Sequence, residues 1–358
     1  MKWGHVLRGT PHPAPVGRPD YYKRELHASL FIRSAESLPV RSFLSDNRVD
    51  ANPRDAATDC FRQHGVYPLN FSYPTLHANS SSSHLRPQFL STTYPGEAHS
   101  YTNWEEYLNE YRGSHFALST KKGGWDTFRH LEILFAGAIP LMPSLANSPT
   151  FSLAHYPKRT LSSILRSLMS DGPALPDEAT HDYLSRWAHE HLTTKSMAEY
   201  VLETATIRGN VLFLDRALHA RTDYLSAFTF IGLSEVLGSS IQAAWEPSYL
   251  FDDFDGDTLR LYGKGFGYTQ SIPARLKSGS SMSESASIKD VLDLSRSADS
   301  IVVGNYDANR ELVAQLLEGG IPAHRFTCVL GSDLPPDYSL MRGIAKSGMT
   351  FFVREFAR

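Results

Sequence analysis

The sequence predicts an α/β protein of two Rossmann-like domains facing each other across a cleft. Three observations lead there. Between residues 115 and 143 an apolar run, a glycine-containing loop, an amphipathic helix and a second apolar run follow one another. The alternation restarts at "VLFLD" (211–215) and continues through "SIVVGNYD", "NRELVAQLLEGG" and "FTCVLGSD". These runs are apolar at successive positions, as in parallel strands covered on both faces. Finally, 358 residues suit two cores of about 150 to 200 residues each.

Composition narrows the classes. An apolar fraction of 41% and a charged fraction of 20% are those of a globular protein. A net charge of -3 gives no electrostatic reason to expect nucleic acid as a partner, and at most peripheral membrane contact. Cys60 and Cys328 are the two cysteines, too few for a disulfide scaffold, so a reducing, cytoplasmic setting is expected. The first twenty residues lack the apolar core of a signal peptide, and no run approaches the about 18 apolar residues of a membrane span.

Taken in order, residues 1–20 carry four prolines and three glycines and read as an extended lead-in. The first domain is expected over 21–208. It opens with short strands at "ASLFIR" and "GVYPLNFSYP", then a serine-rich loop over 77–88. "NWEEYLNEYRGS" predicts a helix with Trp104, Tyr107, Leu108 and Tyr111 on one face and Gly113 at its end. "HFALS" and "AIPLMP" are strands on either side of a further helix, making a βαβ unit. "TLSSILRSLM" and "DYLSRWAHEHLTTKSMAEYVLETA" are helical by period. The second domain, 209–358, begins at "VLFLD". Its first helix, "DYLSAFTFIGLSEVLG", is capped by Thr222 or Asp223 and stopped by Gly238. A short echo links "YYKREL" (21–26) with "FFVREF" (351–356), as chance similarity or a shared edge-strand pattern.

The chemistry concentrates between Ser119 and Glu132. A helix start leaves four N–H groups unpaired and carries roughly +0.5 of an elementary charge. Gly123 and Gly124 let the backbone approach a ligand, while Lys121 and Lys122 add charge beside that end. Arg129, three residues after Asp126, can fork onto a phosphate pair, and Glu132 one turn on suits ribose hydroxyls. The stretch therefore fits a nucleoside diphosphate. An ordinary loop followed by an Arg129–Glu132 surface pair is the plainer alternative. Neither GxxxxGK[ST] nor GxGxxG occurs, which disfavours a nucleotide triphosphatase or a dehydrogenase.

"FALSTKKGGWDTFRHLEILFAGAIPLMP" resembles the nucleotide-sugar motif of exostosin-like and related GT-B glycosyltransferases. There a strand, a basic glycine loop and "R..EA...G.IPV" come in the same order. Arg129, Glu132, Gly137, Ile139 and Pro140 match position by position, and Lys122-Gly123 stands where the basic-glycine pair stands. The match covers about thirty residues, with "HEHLTTKSMAEYVL" matching more loosely. The resemblance implies a polysaccharide-building enzyme that moves a sugar from a nucleotide-sugar donor to a hydroxyl of a glycan or lipid-linked glycan. No cofactor and no obligatory metal are implied. Together with the loop chemistry above, donor binding is expected at Ser119, Lys121, Lys122, Gly123, Gly124, Asp126, Arg129 and Glu132. In such enzymes the donor domain usually comes second, so this chain reads as circularly permuted, with "YYKREL" near the old join.

An inverting transferase needs a base for the acceptor hydroxyl. Asp215, ending "VLFLD", is the first candidate; Asp223 and Asp333 follow, the one also readable as a helix cap and the other as a turn residue. Gly304, Asn305 and Tyr306 form a strand-end loop that could touch acceptor or phosphate. "FDDFDGD" places Asp253 and Asp255 in a DxD pattern, which a metal-dependent transferase would use and a solvated loop would also display. No HExxH occurs and no metal site is expected. The rival from another class is a non-catalytic glycan-binding or scaffold protein.

Overall fold

The computed structural model describes residues 35–44, 50–53, 62–78, 85–94, 101–279 and 281–357. The lead-in, the strand expected at "ASLFIR", the "YYKREL" segment and serines 80–83 lie outside the described residues. The strands in chain order are β1 (Val40–Arg41), β2 (Val66–Pro68), β3 (Gln88–Leu90), β4 (Ser114–Leu118), β5 (Ile139–Leu141) and β6 (Leu175–Pro176). Then follow β7 (Val211–Leu214), β8 (Ile241–Ala243), β9 (Ser300–Val303), β10 (Phe326–Leu330) and β11 (Thr350–Val353). Every pairing among them is parallel, and helices flank the sheets, so the protein is α/β and Rossmann-like in character.

The chain divides into two compact units. One holds the described residues of 1–53 and 78–191, the other those of 54–77 and 192–357. The sequence reading put the division at 208/209. It falls earlier because the helical stretch after residue 178 breaks at Thr193, whose side chain caps a new helix by accepting from Ser196 N–H. Residues 62–77 join the second unit because β2 pairs with β11.

The first unit is built on the sheet β3-β4-β5, with β1 and β6 paired separately. Helix α1 (Trp104–Arg112) starts at Asn103, which accepts from Glu106 N–H, and buries Tyr107, Leu108 and Tyr111. Helix α2 (Phe128–Phe135) connects β4 to β5, which pair in register from Phe116 opposite Ile139. At its end Gly137, at φ 83°, donates to Leu134 O while Ala138 N–H reaches Ile133 O. That double closure needs a left-handed residue, so Gly137 is a helix stop. Helices α3 (Lys158–Asp171) and α4 (Glu178–His191) complete this unit.

The second unit is a six-stranded sheet of order β2-β11-β10-β9-β7-β8. Its last five strands, counted from β7 along the chain, give a doubly wound order that reverses between β7 and β9, where such sheets open a crevice. Helix α5 (Thr194–Thr204) packs along α6 (Tyr224–Leu237). A Cβ on Gly232 would stand 2.1 Å from Thr194 O, so only glycine permits this approach. α6 is buried from Leu225 to Ser234 except at half-exposed Thr229, as a helix covered by sheet and helix must be. Helices α7 (Ile288–Ser297), α8 (Tyr306–Glu318) and α9 (Tyr338–Ile344) finish the unit. β11, which holds Phe351–Val353 at the start of "FFVREF", lies between β2 and β10, so that copy of the echo is not on an edge strand.

Candidate functional site

Ser119 through Glu132 sit together at the carboxyl end of β4 in the first unit. Thr127 is the N-cap of α2 in position, yet its side chain makes no capping hydrogen bond. The loop before it is basic: Lys122 is exposed, and Lys121 Nζ lies 5.2 Å from the Trp125 ring centroid. Neither Gly123 nor Gly124 adopts a positive φ, so the glycines supply a slim backbone rather than a left-handed turn. Asp126 is buried and acts electrostatically on Tyr156.

Arg129 and Glu132 share a buried polar cluster with two residues of α1. Tyr107 hydroxyl donates to Glu132 Oε2 at 3.0 Å and lies 2.9 Å from the Tyr111 hydroxyl. Burial pushes the Glu132 carboxyl up to about 7, against the lowering pull of Arg129, Tyr107 and Lys122. Burial works against the Arg129 charge, but Tyr107, Tyr111 and Glu132 outweigh it and its pKa is raised. Arg129 Nη1 is sealed from solvent and has no hydrogen-bond partner among the described residues. A plain surface pair does not describe this arrangement.

His130, which the sequence reading passed over, holds the loop. Its Nδ1 lies 2.6 Å from Ser119 Oγ and its Nε2 2.9 Å from Trp125 O. The ring is fully buried and its pKa pushed down to about 4, chiefly by desolvation. A neutral ring facing a carbonyl must carry its proton on Nε2, so Nδ1 accepts from the Ser119 hydroxyl. Ser119 is thus a fastening between β4 and α2, buried and committed. The signals for the missed residues were present: Tyr107 and Tyr111 fall four apart on the apolar face of α1, where they read as core.

The second unit gathers the three aspartates at the carboxyl ends of its strands. A cleft of about 490 Å³ opens there, lined among others by Phe71, Arg221, Asp223, Tyr224, Tyr262, Asp333 and Arg354. Asp215 does not line it. Its Oδ2 accepts from Ser226 Oγ at 2.6 Å, and its Oδ1 from Asn309 Nδ2 and Ala217 N–H at 3.1 Å each. Only 2% exposed, and with burial raising its pKa against these bonds, it fastens the switch point rather than meeting solvent. Of the three aspartates, Asp223 and Asp333 line the cleft.

Asp223 is half-buried and caps α6 by accepting from Ser226 N–H at 2.9 Å. Its other oxygen accepts from Asn305 Nδ2 at 3.1 Å, which ties the ends of β7 and β9 together. Asp333 is exposed and ion-paired with Arg354, which is buried with its guanidinium 4.5 Å from the Phe71 ring centroid. The glycine of the strand-end loop has a packing reason: a Cβ on Gly304 would meet Ser226 Oγ at 2.2 Å and Phe213 Cζ at 2.4 Å. Asn305 caps α8 through Ala308 N–H, and Tyr306 packs edge-on against Phe351. These residues build the junction, and none of the three lines the cleft.

In the DxD stretch, Asp253 is paired with Lys277 at 2.7 Å. Among the described residues no group of three or more His, Cys, Asp or Glu side chains is placed to hold a metal. Cys328 is a buried free thiol whose pKa burial raises. No described helix is long and apolar enough to cross a membrane. No protein family, curated protein or solved structure matches the chain.

Proposed function

We propose that the chain is a nucleotide-sugar-dependent glycosyltransferase in a GT-B arrangement, with the first unit as donor half and the second as acceptor half. The observation that carries this reading is the start of α2. A helix end without a side-chain cap sits beside Lys121 and Lys122 and is followed at once by Arg129, whose Nη1 has no partner among the described residues. Such an end suits a diphosphate, because the helix dipole, the backbone N–H groups and a guanidinium act together. Glu132, with Tyr107 on one oxygen, is the hydroxyl-facing group for the ribose. No metal is required for this scheme. Lys121, Lys122, Gly123 and Gly124 line the approach, while Ser119 and Asp126 act from beneath it.

In the second unit Asp223 takes the role of base. It lines the cleft at the carboxyl ends of the strands, where doubly wound sheets bind ligands. The acceptor is a glycan or lipid-linked glycan hydroxyl, and Asp333 is the next candidate. Titration calorimetry of a panel of nucleoside diphosphates, followed by donor hydrolysis with and without EDTA, tests the reading. Saturable binding and metal-independent hydrolysis are expected. Loss of hydrolysis with EDTA transfers the reaction to a metal-dependent scheme, and the absence of binding across the panel overturns the donor site.

A further inference from the structure

The opposite, amino-terminal edge of the β3-β4-β5 sheet carries a second polar cluster that the donor reading does not use. Arg86 lies two residues before β3, His115 is the second residue of β4, and His181 stands in the first turn of α4. β3 and β4 pair from Gln88 opposite Ser114, so the topology brings Arg86 and His115 to the same edge. The two imidazoles lie 5.8 Å apart, centroid to centroid, with their planes 43° apart.

Three polar atoms in this cluster lack a match. Arg86 Nε, His115 Nδ1 and His181 Nε2 are each sealed from solvent with no hydrogen-bond partner among the described residues. No carboxylate among the described residues pairs with Arg86, whose charge is opposed by burial alone. The guanidinium acts on both rings: burial first and Arg86 second push His115 and His181 down to about 4. Each ring also faces a backbone carbonyl, that of Arg86 for His115 and that of Gly137 for His181. The remaining carboxylate acting on His181 is Asp177, which is already engaged by Thr180 N–H and Oγ1.

We propose that Arg86, His115 and His181 form a proton-linked site for a tetrahedral oxyanion, a sulfate or phosphate group, at the amino-terminal edge of this sheet. A half-buried guanidinium with no carboxylate partner among the described residues is a positive charge that an anion neutralises. With the carbonyl-facing nitrogens protonated, the two unmatched ring nitrogens carry lone pairs in the neutral state. An anion turns both into donors by drawing in protons, so binding and protonation drive each other. All three residues are partly exposed while the three polar atoms are covered, so a small side-chain movement admits the anion. The site is independent of the donor reading.

Sulfate is the probe of choice, because its own charge is constant between about pH 5 and about pH 8, the range in which histidine switches. Calorimetry on the full chain, in two buffers of different ionisation enthalpy, is expected to show net proton uptake and affinity at least about tenfold higher at the lower pH. Arg86→Gln and His181→Gln should each abolish the binding, and Arg129→Ala should leave it intact. Histidine ¹⁵N shifts of the unmutated protein at low pH should move His115 and His181 to the imidazolium form on adding sulfate. That readout stands even where a variant fails to fold. No saturable binding, binding without proton uptake, or binding lost only in Arg129→Ala overturns the proposal. So does displacement of sulfate by Zn²⁺, which would mark a two-histidine metal site.

Discussion

The β4-to-α2 junction of the first unit and the β7-to-α6 and β9-to-α8 junctions of the second share a strand–loop–helix order and are finished differently. In the second unit each helix start is closed by its own side chain, Asp223 on Ser226 N–H and Asn305 on Ala308 N–H, and the two caps also bond each other. In the first unit Thr127 leaves the start of α2 without such a bond, with basic residues around it. A helix that satisfies its own N–H groups spends them on the fold. One without a side-chain cap, beside a guanidinium whose Nη1 has no partner among the described residues, is suited to an external anion.

The largest effect that would sharpen this contrast concerns the aspartates. Asp223→Asn should lower transfer by about 10²- to 10⁴-fold, the usual range for a lost base, while asparagine still caps α6. Asp215→Asn should keep turnover per folded molecule and lose stability instead, because its two oxygens serve three internal donors. Turnover and urea unfolding midpoints measured together separate the two. Reversed outcomes would return the base to Asp215.

Next in size is donor affinity. Arg129→Ala should weaken nucleoside diphosphate binding about tenfold or more, since charge-assisted bonds contribute about 1.5 to 3 kcal/mol. An unchanged dissociation constant in a calorimetric titration would reduce the α2 junction to the same structural status as those of the second unit.

How far the sequence reached follows the same division. Continuous apolar runs announced β4, β5, β7, β9 and β10, because a parallel strand covered on both faces has no polar alternation to disguise it. β8 and α9 stayed hidden, being three and seven residues long and held by their neighbours rather than by local pattern. Local spacing found Arg129 and Glu132, but it could not show Tyr107 from a different helix donating to Glu132. Asp215 illustrates the limit best. Position at a strand end was correctly read, yet whether its oxygens face solvent or Asn309 is decided by a residue 94 positions away.

A third, smaller effect follows from Glu132. Its folded pKa of about 7 lies above the ordinary carboxylate value of 4.5. The folded state therefore binds the proton more tightly than the unfolded chain. The associated stability is fully present below the ordinary value and is lost as pH rises toward 7. Relative to Glu132→Gln, the native protein should lose on the order of 1 to 3 kcal/mol across that window and then level off. A pH-independent difference between the two melting curves would show that Glu132 is not desolvated in the way its burial implies.

The smallest effect tests the comparison at its root. Asn305→Ala removes a side chain that caps α8 and also donates to Asp223, so the loss should be about 1 kcal/mol or somewhat more, as for other N-caps. Thr127→Ala removes a side chain that makes no cap at α2, its nearest polar contact being His130 Nε2 at 3.3 Å. Its cost should be about 0.5 kcal/mol, the low end for a lost hydrogen bond, because His130 Nε2 keeps its shorter bond to Trp125 O at 2.9 Å. Chemical unfolding of the two variants measures the difference. With saturating nucleoside diphosphate present, the Thr127 variant should gain as much stability as the native protein, because the ligand contacts the backbone N–H groups and Arg129 rather than the threonine hydroxyl. A Thr127→Ala loss equal to that of Asn305→Ala would mean that α2 is closed by its own side chain in solution. The two kinds of junction would then be alike, and the argument for an anion at α2 would rest on Arg129 alone.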